Sequence, residues 1–399
     1  MKPYYEEPNA VLYQGHALSI LKGLPSESVD CAITSPPYWG LRTYKTEPQI
    51  WGGWTGELGL EPTTELYIQH LIEIFNEVKR VLKKTGTCWV NIDDSYAGSG
   101  KGIGSDHGKA VFSDDDIVRL PDAGIPAKSL CLIPQRFALG MVEQGWILRN
   151  DIVWAKPNPM PESVKDRFTT SWEHLFFFVK SQKYRFEQQF EPMTCPGRIF
   201  NPDTSGHATA QLRQEGNRTT VGLHDGRTQY GDPSLGRNKR DVWEICTEPS
   251  PIRGVHFATY PEKLVETPIL AGCPAQICKK CGKARGKIYE ISRSYQSGSG
   301  KSGNKPHGSH YDNPQCVGDL KDDIRAGPCL SRQEIGYTDC GCNAGFEAGI
   351  VMDIFAGSGT TGAVAKRLGR KYIGIDLSEE YCRLHIKRLQ AVPLAMALA

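Results

Sequence analysis

One short run in the sequence has residue types that suit chemistry on an N–H group. It is Thr34-Ser35-Pro36-Pro37-Tyr38, and it directly follows the apolar stretch VDCAI. Because proline has no N–H, Pro36 and Pro37 present carbonyl oxygens without competing donors, and each ring fixes φ and holds its carbonyl still. Ser35 adds a hydroxyl, and Tyr38 adds a ring face on which a planar group can stack. The plainer interpretation is a strand that ends at two prolines.

A second run, near the carboxyl terminus, has the pattern of a turn that approaches a ligand. AGIVMDIFAGSGTTGAVAKRLGRKYIGIDLSEEY predicts strand, Gly-rich turn, helix, strand and helix, with Asp353 and Asp376 at the two strand ends. Three glycines fit G-x-G-x-x-G: Gly357, Gly359 and Gly362. Such glycines let the backbone come close to a ligand, and an acid at the second strand end can accept both hydroxyls of a ribose. We therefore expect a nucleoside-containing ligand, although many Gly-rich turns are only tight turns.

Four of the 13 cysteines have the spacing of metal ligands. They belong to Cys278-Lys-Lys-Cys281 and to Cys340-Gly-Cys342. Thiolates at this spacing can bind one tetrahedral Zn²⁺, which would stabilise a Gly/Ser-rich insert that has almost no apolar core of its own. The competing ligands are Cys273, Cys316 and Cys329, and unpaired thiols are the other interpretation.

The composition is that of a globular protein and gives no sign of a general nucleic-acid binder. Of 399 residues, 39% are hydrophobic and 23% are charged, and the formal net charge is only +2, so any basic surface must be local. The start MKPYYEEPNA lacks the layout of a signal peptide, and no apolar run is long enough to span a bilayer. We expect a cytoplasmic protein with reduced thiols and no membrane partner.

The elements that must position these residues follow an α/β pattern. VDCAIT predicts a buried strand, and apolar residues recur at helical spacing from Thr63 to Lys84, before the strand TCWVNID. A helix is predicted from about Pro134 to Gln144, followed by the strands WILRNDIVWAK and HLFFFVK. Between about Phe186 and Asp241 the pattern is lost, which fits a flexible surface insert or a loop that contacts nucleic acid.

The carboxyl-terminal βαβα unit has too few strands to form a nucleotide-binding sheet alone. The first half of the chain must supply the others, which predicts a doubly wound sheet in permuted order, with the strand before Asp353 beside VDCAIT. Ligands of such sheets bind beyond the carboxyl ends of the strands. The Ser-Pro-Pro-Tyr run and the Gly-rich turn are therefore expected to share one crevice.

TSPPYW, followed far downstream by DIFAGSGTTG and IGIDLSEEY, resembles the amino-directed DNA methyltransferases that use S-adenosylmethionine. The order of the motifs resembles one of the circular orders of that family, the one in which the catalytic motif precedes the cofactor motif. The resemblance covers most of the chain. One departure is Gly15-His16, where the family commonly has Gly-Asp. Any cofactor contact that the family makes through this aspartate cannot be made by a carboxylate here.

The resemblance implies a Rossmann-like methyltransferase sheet with an inserted target-recognition region, to which the cysteine spacing adds a zinc-ribbon-like insert. The expected parts are a catalytic half at residues 1–184, a target-recognition insert at 185–240, a return to the catalytic domain at 241–272, the cysteine-containing insert at 273–345 and a cofactor-binding half at 346–399.

In the first run, the resemblance implies methyl transfer to an exocyclic amine of a base. Such an amine is a poor nucleophile because its lone pair is delocalised into the ring, and acceptors on its N–H bonds favour attack as positive charge develops. Ser35 and the Pro36 carbonyl, next to Pro37, are expected to hold the amine, and Tyr38 is expected to stack on a base flipped out of the duplex. No metal or covalent base adduct is needed for this step.

For the cofactor, the resemblance points to the Gly-rich turn and its flanking strands. The expected contacts are Asp353, Phe355, Ala356, Gly357, Ser358, Gly359, Thr360, Thr361 and Asp376. His256 lies in HFATYP, which resembles the family segment that closes over the methionine end of the cofactor. A solitary histidine can equally make an ordinary hydrogen bond. Phe355 can likewise be ordinary core packing. Lys165 and Arg167 lie in a stretch expected to reach DNA phosphates or the flipped base, or to be a solvated loop.

In the family, Ser-Pro-Pro-Tyr is associated mainly with cytosine N4, so we expect cytosine-N4 methylation, with adenine N6 as the alternative. The expected partners are double-stranded DNA and a cognate restriction endonuclease, with the chain as a monomer or homodimer. Two other classes remain open. One is a DNA-binding protein that retains the fold without catalysis, which the intact SPPY and FAGSG runs argue against and His16 mildly favours. The other is a nicotinamide-dependent dehydrogenase, which would bind a dinucleotide.

Overall fold

The computed structural model describes residues 2–41, 43–44, 46–98, 124–191, 237–248, 260–294 and 329–393. Within these ranges, no helix combines the length and the hydropathy needed to cross a membrane. His256 and most of the expected target-recognition insert lie outside the described residues.

The described chain forms one large sheet, four small strand pairs and six helices. The large sheet contains β1 (Tyr5–Glu7), β2 (Ala10–Gln14), β3 (Val29–Thr34), β6 (Leu82–Ile92), β7 (Ile147–Ala155), β8 (Trp172–Val179), β11 (Val242–Glu244), β16 (Ile350–Asp353) and β17 (Lys371–Asp376). The small pairs are β4 (Gln49–Trp51) with β5 (Trp54–Gly56), β9 (Phe190–Glu191) with β10 (Arg237–Asn238), β12 (Ile277–Cys278) with β15 (Phe346–Glu347), and β13 (Lys287–Ser294) with β14 (Cys329–Tyr337). The helices are α1 (Ala17–Gly23), α2 (Thr64–Val81), α3 (Ile133–Glu143), α4 (Glu262–Gly272), α5 (Thr360–Arg367) and α6 (Glu379–Ala391).

The strand order of the large sheet places its last strand beside strands from the first half of the chain. The order is β1-β2-β17-β16-β3-β6-β8-β7-β11. Strand β16 is parallel to β3, with Val351 opposite Cys31, and parallel to β17, with Asp353 opposite Gly374. The prediction that the Asp353 strand lies beside VDCAIT is therefore confirmed. The carboxyl ends of β3 and β16 open at the same edge of the sheet.

Helices cover both faces of this sheet because its central strands are apolar on both sides. All six residues of β3 are buried. Ala32 packs in the cluster that includes α1, α2 and α3, whereas Cys31 and Ile33 pack in the cluster that includes α4, α5 and α6. The sheet is thus the middle layer of a mixed α/β fold, as the alternating patterns predict.

The predicted helices and strands of the first half are confirmed, with small shifts of their ends. The Thr63 side chain accepts a hydrogen bond from the Leu66 N–H at 3.2 Å and caps α2. Helix α2 ends at Val81, before Lys84, because β6 already begins at Leu82. The second predicted helix is α3, which has a proline in its first turn.

The chain divides into two compact units. The first comprises Met1–Gln189, Arg240–Arg285 and Asp339–Ala399 and contains the large sheet. The second comprises Phe190–Lys239 and Gly286–Thr338. In its described part, the second unit contains the antiparallel pairs β9–β10 and β13–β14.

Candidate active site

The loop after β3 is fixed by contacts to α2 and to the segment before it. The Tyr67 hydroxyl donates to the Pro37 carbonyl at 2.6 Å, and the Trp39 indole donates to the Glu61 carbonyl at 3.0 Å. Pro36 is buried, and among the described residues no donor contacts its carbonyl oxygen. Of the two proline carbonyls, only that of Pro37 is engaged by the described part of the fold.

The Tyr38 hydroxyl lies at the centre of a small polar network. It is 2.7 Å from Glu173 Oε2 and 3.1 Å from Asn91 Oδ1, and Ser35 Oγ lies 3.4 Å from it. Because a phenol has one proton, the shorter contact makes Glu173 the acceptor and lets Tyr38 accept from Ser35. Burial, together with the charge of Glu173, raises the pKa of Tyr38 well above its usual range. Tyr38 is therefore a neutral donor held in one orientation.

Glu173 organises this network from a buried position at the start of β8. Asn91, on β6, donates to Glu173 Oε2 at 2.9 Å, and Lys156, directly after β7, pairs with the other carboxylate oxygen. Asp93 follows β6, and burial and the charge of Glu173 raise the pKa of its carboxyl group. Three strands thus place one carboxylate against the Ser-Pro-Pro-Tyr loop.

The sequence patterns predict no function for Glu173, Asn91 or Lys156. A signal was present, because Asn91 interrupts the apolar strand WVNI and Glu173 stands at the start of WEHLFFFV. Polar groups inside buried strands need partners, so each of these residues implies a second one elsewhere in the chain. What the sequence does not specify is that the partner is Tyr38.

Asp353 joins the two strand ends. Its Oδ1 accepts from Thr34 Oγ1 at 2.7 Å and from the Phe355 N–H at 3.2 Å. Its Oδ2 accepts from the hydroxyls of Tyr260 and Thr361, each at 2.7 Å. The side chain is fully buried, and burial raises its pKa despite these donors. Asp353 therefore fixes the end of β3, the Gly-rich turn and the segment before α4 to one another.

Asp376, at the end of β17, supports the same turn. Its Oδ2 accepts from the Gly357 N–H at 2.7 Å, and its Oδ1 accepts from the Ser378 N–H at 2.9 Å. Burial raises the pKa of Asp376 to about 6. Each carboxylate oxygen has two lone pairs, so both retain capacity for one further donor. The Gly15 N–H binds the Asp376 carbonyl at 2.9 Å, so His16 lies at this edge as well.

The Gly-rich turn contains open space and an unpaired polar atom. Gly357 has φ +50, and no atom lies within 4 Å of the position that a Cβ would occupy there. Ser358 Oγ is buried and contacts no partner among the described residues. Gly359 is required for packing, because it has φ +87 and a Cβ there would lie 2.4 Å from His385. The turn fits a ligand that approaches the backbone at Gly357 and offers a hydrogen bond to Ser358.

The remaining predicted residues are distributed around these two sites. Phe355 is half-buried against the core, and Ala356 is buried. Thr360 is buried at the start of α5 and accepts from Arg388 at 2.9 Å. Arg167 is paired with Glu162 at 2.6 Å and lies over the Tyr96 ring. Lys165 is exposed. The proposed contacts of all these residues with cofactor or DNA stay predictions.

The four predicted metal ligands are brought together in the first unit. The Sγ atoms of Cys278, Cys281, Cys340 and Cys342 all lie within 4.8 Å of one another. The sequence spacing therefore predicted the cluster correctly, although the two pairs are far apart along the chain.

The chain is similar to known proteins of one family. A DNA methylase family model matches residues 29–276 and 343–387. The chain is similar to the type II methyltransferase M.Cfr9I of Citrobacter freundii, with 33% identity over 96% of this chain and 88% of that protein. It is also similar to the type II methyltransferase M.SmaI of Serratia marcescens, with 30% identity over 94% of this chain and 89% of that protein. A solved structure named PvuII DNA methyltransferase (cytosine-N4-specific) has a TM-score of 0.51 and 17% identity, over 100% of this chain and 91% of that one, which shows a shared fold.

Proposed function

Since this chain belongs to the DNA methylase family, we propose that it is a site-specific methyltransferase of double-stranded DNA. The methyl group comes from S-adenosylmethionine, and the acceptor is the exocyclic N4 amine of a cytosine flipped out of the duplex. The observation that carries the proposal is the hydrogen bond of 2.7 Å between Thr34, before the Ser-Pro-Pro-Tyr loop, and Asp353, before the Gly-rich turn. An amine at the loop and a methyl donor at the turn therefore lie next to each other.

The loop prepares the amine by accepting hydrogen bonds from its N–H groups. S-adenosylmethionine, when bound, supplies a methyl group on a positively charged sulfur, so the amine nitrogen must present its lone pair to that carbon. The Pro36 carbonyl, which no described donor contacts, accepts one N–H. The Ser35 hydroxyl either accepts the other N–H while it donates to Tyr38, or turns from Tyr38 to donate to the neighbouring ring nitrogen. Acceptors at these positions stabilise the positive charge that develops on the nitrogen during transfer.

The Gly-rich turn holds the cofactor through groups that the fold leaves available. Asp376 retains one lone pair on each oxygen for the two ribose hydroxyls, while its other lone pairs hold Gly357 and Ser378. The open space at Gly357 and the unpaired Ser358 hydroxyl fit the adjacent part of the ligand. Phe355, half-buried beside the turn, offers its ring face to the adenine.

Glu173 acts as a positioning residue for Tyr38. By holding the phenol hydroxyl, it fixes the ring face against which the flipped base stacks. Lys156 and Asn91 in turn hold Glu173, so that the ring orientation is set before DNA binds. This arrangement supports catalysis through alignment, since small displacements of reacting atoms have large effects on rate.

The connection between β7 and β8 is the proposed DNA-facing loop. It begins at Lys156 and leads into β8 at Trp172, next to Glu173, so both of its ends adjoin the Tyr38 network. In between, Met160 is 84% exposed and Phe168 is 97% exposed, and Lys165 is also exposed. Exposed apolar side chains beside a base-flipping site suit insertion into the base stack, and the lysine suits a phosphate contact.

The cytosine assignment rests on Ser35 at the first position of the motif. The N4 specificity printed for the PvuII methyltransferase belongs to that protein, and its likeness to this chain concerns the fold. Adenine N6 is the second candidate, because the Ser35 hydroxyl can donate to cytosine N3 or adenine N1 alike. We also propose the circular order of the family, in which β3 precedes β16 along the chain although the two are neighbours in the sheet.

The proposed setting is a restriction-modification system in the cytoplasm, with a cognate endonuclease as the partner that cleaves unmodified DNA. The names of M.Cfr9I and M.SmaI, both type II methyltransferases, support this setting. The target-recognition function proposed for residues 185–240 falls largely outside the described residues. Monomer and homodimer both stay open as the working assembly.

The test is nucleoside mass spectrometry on DNA from a methylation-deficient host that expresses the chain. We expect 4-methylcytosine, and much less of it in a host that expresses Tyr38→Ala at the same level. If 6-methyladenine appears instead, methyl transfer stands and the cytosine assignment is wrong. If soluble, folded protein yields neither product, the chain is better described as a DNA-binding protein without catalysis.

A further inference from the structure

The cysteine cluster has the dimensions of a tetrahedral thiolate site. Its four Sγ atoms lie within 4.8 Å of one another. In a tetrahedral site with Zn–S bonds of about 2.3 Å, neighbouring sulfurs are about 3.8 Å apart, so small side-chain rotations bring the four onto one ion. Without an ion, four thiolates at this separation would repel one another.

Each half of the cluster is formed by a tight, internally bonded turn. Cys278 ends β12, and the Gly282 N–H, at φ +68, binds the Cys278 carbonyl at 2.9 Å and closes the first turn. In the second turn, Asp339 Oδ1 accepts from the backbone N–H groups of Cys340, at 2.6 Å, and Gly341, at 3.1 Å. These bonds fix the backbone of the two turns that carry the cysteines.

The two turns are connected independently of the sulfurs. Strand β12 pairs with β15, with Cys278 opposite Phe346, and the Lys279 N–H binds the Gly345 carbonyl at 3.1 Å. The Arg285 guanidinium lies over the Phe346 ring. The cluster therefore has a scaffold that brings residues from before and after the insert into contact.

The structure shows which of the described cysteines belong to the cluster and which lie outside it. Cys273 is fully buried at the end of α4, and its thiol lies 4.0 Å from the Pro274 carbonyl, outside the cluster. Cys316 and the side chain of Cys329 lie outside what the structure describes. Among the described residues, the four clustered cysteines form the ligand set.

We propose that Cys278, Cys281, Cys340 and Cys342 bind one Zn²⁺ in a closed structural site that joins the two ends of the insert. The four thiols release their protons on binding, and the resulting Zn(Cys)₄ unit carries a charge of −2. Lys279, Lys280 and Lys283, all exposed in the first turn, supply opposite charge nearby. Four protein ligands leave no open position, so the ion does not take part in methyl transfer.

The site has a consequence for the sheet. Strand β15 leads within three residues to β16, and the Gly349 N–H binds the Pro274 carbonyl at 3.1 Å. Lys371, at the start of β17, binds Glu347 of β15 at 2.6 Å. Zinc therefore restrains the chain where it enters the strand that ends at Asp353, and its loss should loosen this entry first.

The experiment is metal analysis of the full chain, purified without a metal-affinity step. We expect one zinc per chain, about one-half or less in Cys281→Ser and in Cys340→Ser, and one in Cys246→Ser, a control at an exposed cysteine outside the cluster. Folded wild-type protein without zinc, or with iron in its place, would overturn the proposal, as would full zinc content in both cluster variants.

A second measurement covers the case in which the cluster variants fail to fold. Titration of folded wild-type protein with an organomercurial should release one zinc for every four thiols modified. A metallochromic dye measures the zinc that is released. Zinc released in proportion to fewer than three thiols, or no release at all, would contradict a four-cysteine site. Neither measurement depends on methyl transfer, so the zinc site and the proposed function succeed or fail separately.

Discussion

The two halves of the proposed active site are held in different ways. Side chains from neighbouring strands hold the loop at Tyr38, with Glu173 accepting from the phenol and Asn91 and Lys156 fixing Glu173. The Gly-rich turn is held mainly through its own backbone, by Asp376 at Gly357 and by close packing at Gly359. Substitutions at the loop should therefore change the rate of the reaction, whereas substitutions at the turn should change folding and cofactor binding.

The largest expected effect is on folding, from Gly359→Ala. A methyl group there would meet His385 at 2.4 Å in a backbone conformation with φ +87, so we expect the free energy of unfolding to fall by about 3 kcal/mol. Gly52→Ala is the matched control, because Gly52 has φ +58 but no atom within 4 Å of its Cβ position, and should lose about 1 kcal/mol. Equal losses in urea unfolding would show that His385 packing is not the reason for the glycine.

On the loop side, Tyr38→Ala should lower the single-turnover rate of methyl transfer about 100-fold. The ring provides the stacking face and its hydroxyl meets Glu173, whereas the cofactor side of the site is untouched. We expect cofactor affinity, measured by calorimetry, to stay within about twofold of the wild type. An unchanged transfer rate would remove Tyr38 from the site.

On the turn side, Asp376→Ala should weaken cofactor binding about 10-fold or more, because it removes acceptors for the ribose and for Gly357. Transfer at saturating cofactor should recover most of the wild-type rate. The comparison of Tyr38→Ala with Asp376→Ala separates the two halves: one should change the rate and the other the affinity. Native affinity in Asp376→Ala would contradict the ribose contact.

The pH dependence of cofactor binding tests the Asp376 carboxylate without a substitution. The pKa of Asp376 is about 6, raised by burial from its ordinary range, so the group is charged at pH 7.5 and becomes protonated as the pH falls through 6. If ribose hydroxyls donate to the carboxylate, binding lowers that pKa, and affinity must therefore decrease severalfold between pH 7 and pH 5. Asp376→Asn should give a flatter profile. A wild-type profile as flat as that of the variant would argue against the contact.

A smaller effect on the rate than that of Tyr38→Ala is expected from Glu173→Gln. The amide retains an acceptor for Tyr38 but loses its charge and its ion pair with Lys156, so we expect the transfer rate to fall about 10-fold with cofactor affinity unchanged. Glu143→Gln, at an exposed position of α3, is the control and should leave the rate unchanged. A variant whose rate equals that of the control would show that Glu173 does not position Tyr38.

Local patterns predicted most of the fold but not the contacts between distant segments. The strand VDCAIT, the helix capped by Thr63 and the turn at Gly357 are short-range features, and the pairing of β16 with β3 followed from the strands that the last unit lacks. The bond between Thr34 and Asp353 joins residues at opposite ends of the chain, and no spacing rule specifies it.

The site was predicted unevenly for the same reason. Cysteine spacing predicted the four-thiol cluster because C-x-x-C geometry is local and metal sites use few patterns. Glu173 was missed because its function depends on which loop its strand faces. Asp353 was expected at the cofactor, whereas its four described hydrogen bonds all join parts of the fold, and a direct cofactor contact stays a prediction.

The most direct test of the shared active site is transfer of a labelled methyl group in vitro. Purified wild-type chain, tritium-labelled S-adenosylmethionine and DNA from a methylation-deficient host would be incubated, and the DNA digested to nucleosides. We predict that the label appears in 4-methylcytosine with the wild type and falls about 100-fold with Tyr38→Ala. Folded protein that binds the cofactor but transfers no label to any base would contradict the account.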